Sequence, residues 1–294
     1  MHSFTSNELQ VFHSICQGDD TAKKISASTG LTLKPTYNLL DSLMAKGIVS
    51  IEVGTPRRYS PGGGLHASAL RQFLIKKEHP IDSIVGSKLL ILLSISHQDK
   101  DEKRIAEETG LKASSVRRLI LQLQYYGLID KRAKGVSISP SARSMRTFLM
   151  NFSTGSSFAI MQKKAKDGIL LWNDGLQFLF SAAQLDDCSR VRATGMSAIA
   201  AYGINFFLPT EYYYYSYNDK DLKPVDIALH TILVDPTNPR ATGDAMLFLK
   251  KVGIKKETFV SEAKYVGLEN RARKIVAFCR GRGSKDPAFP SRAD

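Results

Sequence analysis

The sequence predicts an α+β protein in which a duplicated unit of three helices and a hairpin fills the N-terminal half and a mixed α+β domain fills the rest. Three observations carry this reading. Lys24-Ile-Ser-Ala-Ser-Thr-Gly-Leu31 and Arg104-Ile-Ala-Glu-Glu-Thr-Gly-Leu111 agree at an offset of 80 residues. In both copies the apolar spacing turns from helical to extended after a glycine, Gly47 and Gly127. The C-terminal half mixes apolar helical stretches with a strand-like run of tyrosines, Tyr212 to Tyr215.

The offset runs on without a gap. Leu39 falls on Leu119, Leu40 on Ile120, Leu43 on Leu123, Ile48 on Leu128 and Val49 on Ile129; upstream, Leu9, Val11, Phe12 and Ile15 fall on Leu89, Ile91, Leu92 and Ile95. Agreement over that length is duplication of a whole folding unit.

Each element of the unit follows from local chemistry. Leu9, Phe12 and Ile15 at helical spacing predict a first helix, ended by the Gln17-Gly18-Asp19-Asp20 loop. A short second helix begins after Thr21, matched by Asp101, because either side chain can accept from exposed backbone donors. It stops at Thr29-Gly30 and Thr109-Gly110, where glycine takes the left-handed conformation without steric cost. The third helix opens at Lys34-Pro35, and at Ser114, read as its cap. Thr36, Leu39, Leu40 and Leu43 face inward by spacing, as do Val116, Leu119, Ile120 and Leu123. The opposite face carries Tyr37, Asn38, Asp41 and Ser42 in one unit and Arg117, Arg118 and Gln122 in the other. Extended chain follows: Ile48 to Val53, a Gly54-Thr55-Pro56 turn and Arg57 to Pro61, then Leu128 to Ile138 in the second copy.

A helix-turn-helix followed by a hairpin is a winged helix. Both copies carry Ile, five residues and Leu, then Thr36 or Val116 leading to Gly47-Ile-Val49 or Gly127-Leu-Ile129, and so resemble the MarR/ArsR-like superfamily of transcription regulators over residues 5 to 62 and 85 to 141. The resemblance implies that the chain binds double-stranded DNA.

The residue chemistry agrees. The major groove admits a helix, and its base edges present patterns that arginine, asparagine and glutamine can pair with. Tyr37, Asn38, Ser42, Arg117, Arg118 and Gln122 are the candidate readers on the third helices, while Asp41 would repel phosphate unless it accepts from cytosine. Arg57 and Arg58 in one wing, and Lys131, Arg132 and Lys134 in the other, are placed for phosphates or an adjacent minor groove. The formal charge is +13, and residues 1–150 hold 21 Lys+Arg against 13 Asp+Glu, the more basic half. Winged helices also mediate protein contacts, so each exposed side chain has an ordinary solvated role as its alternative.

The expected domains are residues 1–64, the first winged helix; 65–150, a connecting helix bearing Leu65, Ala69, Leu70, Phe73 and Leu74 on one face, with the second winged helix; 151–280, an α+β domain for a partner or effector; and 281–294, a polar Gly/Pro-rich tail expected to be disordered. In the third domain Ile169 to Phe180 reads as a helical stretch, with further helices near 224–234 and 241–252, and Trp172 as core. The tyrosine run, alternating in a strand, should split between core and surface.

Arg192-Ala-Thr-Gly-Met-Ser-Ala-Ile-Ala-Ala-Tyr-Gly203, the strand Tyr212 to Ser216 and Asp226-Ile-Ala-Leu-His-Thr-Ile-Leu233 resemble the core of AbiE-type antitoxins. That resemblance implies an autorepressor with a nucleotidyltransferase-like toxin as protein partner. The chain departs from the family in having two winged helices.

No GxxxxGKS, HExxH or GxSxG motif occurs, so no catalytic constellation, cofactor or metal is expected. Asp186, Asp187, Glu211, Asp226 and Asp235 are the acids a nuclease-like metal site would have to draw on. Cys16, Cys188 and Cys279 lack metal-ligand spacing and read as reduced, buried thiols. With no uncharged apolar run of about 18 residues and no leader pattern, a cytoplasmic protein away from membranes is expected. The expectation is therefore a sequence-specific regulator. The alternatives are a plasmid replication initiator, which also uses paired winged helices, and a DNA-targeted nuclease or nucleotidyltransferase-like enzyme.

Overall fold

The computed structural model describes residues 3–133, 135–204, 209–279 and 289, and the chain divides into two compact units, Met1–Ile160 and Met161–Asp294. In the first unit, α1 (Ser6–Cys16), α2 (Ala22–Thr29) and α3 (Leu33–Ala45) lead into the antiparallel hairpin β1 (Val49–Glu52) and β2 (Arg58–Pro61). After α4 (Leu65–Lys76) the order repeats with α5 (Ser87–Ser94), α6 (Glu102–Thr109), α7 (Ala113–Tyr125), β3 (Ile129–Arg132) and β4 (Gly135–Ile138).

Equivalent residues fill equivalent cores. Leu9 and Leu89, Ile25 and Ile105, and Leu43 and Leu123 are all fully buried. Burying such a side chain stabilises by about 1.5–3 kcal/mol, so the repeated positions hold each three-helix cluster closed. Thr21 caps α2 and Asp101 caps α6, each accepting from a backbone N–H three residues on. Gly30 and Gly110 end those helices at φ +72° and +69°, in the left-handed region. Ser114 is not a cap: α7 begins one residue before it, and Lys112 is the flanking residue.

The hairpins differ in length. Val49 pairs with Pro61, twelve residues on, while Ile129 pairs with Ile138, nine residues on. A short segment before each second helix joins its hairpin: Tyr59 N donates to Asp20 O at 2.8 Å, and Lys100 pairs with Val136 in both directions at 3.2 and 2.8 Å.

Helices α4 and α8 (Arg143–Lys164) tie the two repeats together. Phe148 of α8 packs on Phe73 of α4 at 4.6 Å, and Phe152 lies edge-on to Phe4 at 5.8 Å. Two residues before Phe148, Arg146 donates to the carbonyls of Ser96 and His97 beyond the end of α5. Gly155 sits against the His66 backbone, at the crossing of α8 and α4.

The second unit is built on an antiparallel sheet of order β5-β6-β8-β7, from β5 (Ile169–Asp174), β6 (Gln177–Ala182), β7 (Val191–Ala193) and β8 (Glu211–Ser216). Residues 169–180 are thus a hairpin, not the expected helix: Gly175 turns the chain at φ +66°, and β6 gains partners on both sides, which a lone helical stretch lacks. In β8 the tyrosines alternate. Tyr213 and Tyr215 stack on Phe180 and Phe178, while Tyr214 faces His230 at 4.7 Å. Trp172 is half-buried against the core.

The remaining helices are α9 (Gly195–Ile199), α10 (Pro224–Val234), α11 (Pro239–Val252), α12 (Lys256–Ala263) and α13 (Glu269–Cys279). α10 is buried on all sides from Val225 to Leu233, as its uniformly apolar sequence requires. The cysteines are unpaired, and Cys188 and Cys279 are exposed rather than buried. The tail 281–294 lies outside the described residues except for Phe289, which is buried beside Phe278 at 5.7 Å.

Candidate nucleic-acid interface

The third helix of each repeat is fixed from behind and open in front. In the first repeat Leu40 and Leu43 anchor α3, and Glu8 of α1 adds a polar tether. Its Oε1 accepts from Ser42 Oγ at 2.6 Å and from Lys46 Nζ at 2.5 Å, and its Oε2 accepts from Thr5 N at 2.7 Å. Burial would raise the Glu8 pKa, but these bonds outweigh it and hold the carboxyl below its usual range. Ser42 is therefore half-buried and turned to Glu8, whereas Lys34, Tyr37, Asn38 and Asp41 are exposed.

The first hairpin stands beside that face. Arg57 and Arg58 are exposed, and Arg58 pairs with Asp20. Burial pushes the phenol of Tyr59 in β2 up; Tyr37 and Asp41 of α3 add to the shift and Arg57 opposes it. Wing and helix face thus share one electrostatic neighbourhood.

In the second repeat Val116, Leu119, Ile120 and Leu123 anchor α7. Arg117, Arg118, Leu121, Gln122 and Tyr125 are exposed, Tyr125 at 89%. Glu102, at the first position of α6, joins helix to wing: Oε2 accepts from Arg117 Nε at 2.9 Å and Oε1 from Lys131 Nζ at 2.5 Å. The Lys131 and Arg117 cations hold Glu102 below the usual carboxylate range. Arg132 is exposed and pairs with Asp130 at 3.0 Å. Lys134 lies outside the described residues.

Residues 1–62 match the family model for the sugar-specific transcriptional regulator TrmB. The TrmB match takes in α1 to β2, the first repeat entire, and ends before α4. Residues 188–292 match a second family model, described as HVO_2833_C, C-terminal. Comparison with curated proteins gives no match, and comparison with solved structures gives none.

Of the acids considered for a metal, Asp186, Asp187, Asp226 and Asp235 serve local structure, and Glu211 opens β8 with its side chain exposed. Lys164 and Ser189 hold the Asp187 carboxyl at a pKa of about 2; Asp186 accepts from Lys166 N; Asp226 accepts from Lys223 N at the start of α10 and pairs with Lys220; Asp235 accepts from Asn238. Among the described residues no three His, Cys, Asp or Glu side chains cluster as metal ligands, and no helix is long and apolar enough to cross a membrane. A cleft of 1290 Å³ in the second unit is lined by α11, α12 and α13, with Phe259, Ile275 and Phe278 as apolar walls. Asp244 also lines it, with its pKa raised by burial and Arg240 Nε 4.0 Å away.

Reading the sequence alone misses Glu8 and Glu102 as links to the third helix, because their partners there, Ser42 and Arg117, lie 34 and 15 residues away. It also passes over Leu121 and Tyr125. Their offset from the inward set at Val116, Leu119, Ile120 and Leu123 places them on the open face.

Proposed function

We propose that the chain is a sequence-specific transcription regulator that binds double-stranded DNA through two tandem winged helix-turn-helix modules. In this reading α3 and α7 enter successive major grooves, and the hairpins β1–β2 and β3–β4 lie along flanking phosphates or the minor groove. One observation carries it: both repeats present the same third helix, anchored behind by buried leucines and open in front beside a basic hairpin. The TrmB match over the first repeat supports a DNA-binding transcription regulator. That match is confined to the helices and hairpin, so the sugar in the family's description does not come with it.

The residues proposed to read bases are Tyr37, Asn38, Arg117, Arg118 and Gln122. Ser42 has a positioning role through Glu8. Arg57, Arg58, Lys131, Arg132 and Lys134 are proposed to meet the backbone. The C-terminal unit is proposed as the partner or effector domain, for a toxin-like protein, self-association or a ligand. The cleft beside Asp244 supports the ligand.

Selection of bound duplexes from a random pool, with the full chain at near-physiological salt, tests the reading. Two enriched half-sites at fixed spacing are expected. Equal recovery of all sequences would sink it.

A further inference from the structure

We propose that Glu102 is a positioning residue that presents Arg117 to a guanine, making the second repeat the guanine-reading half of the protein. The inference rests on α7 entering the major groove, as proposed above. Arg117 projects from the open face of α7 with its side chain 71% exposed, yet it is held: its Nε donates to Glu102 at 2.9 Å. An exposed arginine otherwise samples many rotamers, and ordering it on binding costs entropy. With Nε engaged, both terminal amino groups remain to face outward in one plane. That is the fork which matches the O6 and N7 acceptors of guanine in the major groove.

Lys131 completes the device. It holds the other oxygen of Glu102 at 2.5 Å, which keeps the carboxylate from turning away. It also leaves the three charges with a net positive sum, so the acid does not repel the phosphates between which α7 must pass.

The first repeat links its second helix to its hairpin through Asp20, paired with Lys24 and Arg58, whereas in the second repeat the linking acid also takes an arginine of the third helix. At the offset of 80, Ala22 stands for Glu102, Tyr37 for Arg117 and Ile51 for Lys131. The same three-helix core closes there without any of them. Arg118 has no ion pair among the described residues and so lacks such support; it stands where the first repeat has Asn38.

The test compares sites selected by the wild-type chain, Glu102→Gln, Arg117→Ala, Arg117→Lys and the Glu102→Gln/Arg117→Ala double variant, with melting temperatures checking the fold. In the wild type one position of the second half-site should be guanine. Arg117→Ala should abolish that preference, and Arg117→Lys should keep affinity without restoring it. Glu102→Gln should lower it at least threefold, part of the roughly 5- to 150-fold that a bidentate arginine supplies. In the Arg117→Ala background the second change should add nothing. An unchanged guanine preference in Glu102→Gln, or a loss spread evenly over all positions, would overturn the inference while leaving the DNA-binding reading intact. No enriched site in the wild type would overturn both.

Discussion

Inside the second repeat the carboxylate of Glu108 meets the ammonium of Lys100 at 2.9 Å, with the lysine side chain fully buried and the glutamate nearly so. Arg104 Nε donates to the other oxygen at 2.8 Å, and Ser94 adds its hydroxyl at 2.7 Å. In the first repeat Ser14, the counterpart of Ser94, donates instead to Asp19 at 2.7 Å. Ser28, the counterpart of Glu108, donates to the same oxygen at 2.5 Å. One buried hydroxyl is thus satisfied in both repeats, by a carboxylate from the loop in one and from the second helix in the other.

The two arrangements should fail differently. Glu108→Ala leaves Lys100 and Arg104 buried without their anion, and removing one partner of a buried pair costs about 3–5 kcal/mol. Asp19→Ala removes two hydroxyl-to-carboxylate hydrogen bonds and leaves no buried charge unpaired, so it should cost less, about 1–3 kcal/mol. Denaturant midpoints of the two variants check the ordering.

Acid should act through the same group. Burial alone would raise the Glu108 pKa, but Lys100 and Arg104 outweigh it and hold the carboxyl below its ordinary 4.5. A depressed folded pKa contributes stability that is present above the unfolded value and lost as pH falls through the folded one. Thermal melts should therefore show stability falling below about pH 4.5, with a shallower fall in Glu108→Gln. An identical pH dependence in the two proteins would count against this assignment.

Gly155→Ala should destabilise the first unit, because a Cβ there would stand 2.3 Å from the His66 backbone nitrogen. Backbone cannot swing aside as a side chain does, so α8 and α4 must part, at a cost of about 1–3 kcal/mol or more. A melting curve reads it. Asn151→Ala, at an exposed position of the same helix, is the control for simple substitution on α8.

On DNA, reading and holding should separate. Arg118→Ala should relax one base preference at a cost of about 1–3 kcal/mol if that contact is bidentate. Arg132→Ala should weaken every sequence alike and lower the salt slope by about one unit, whereas Lys131→Ala should lower the slope likewise and also relax the guanine preference, because it releases Glu102. Affinities for the selected and a scrambled duplex over a salt series distinguish the two kinds of effect.

Much of the first unit is legible in the sequence, because its elements are closed by local contacts. Thr21 and Asp101 cap residues three positions on, and Gly30 and Gly110 end the same helices. The helical spacing of Leu40 and Leu43, and of Ile120 and Leu123, already names the buried side. Residues 169–180 were illegible for the opposite reason. Their unbroken apolar character suits either a buried helix or a central strand, and the choice depends on β8, whose residues begin some 30 positions later.

The candidate site divides along the same line. The exposed faces of α3 and α7 and the basic hairpins follow from periodicity and turn chemistry, so the amino-acid order by itself determined where polar and basic side chains would lie. Which of them are held and which are open was decided only by the folded chain. Ser42 is turned to Glu8 across 34 residues, and Glu102 gathers Arg117 and Lys131 from two later elements. Such pairings have no periodic signature, because a carboxylate can take any cation that three-dimensional packing brings within hydrogen-bonding reach.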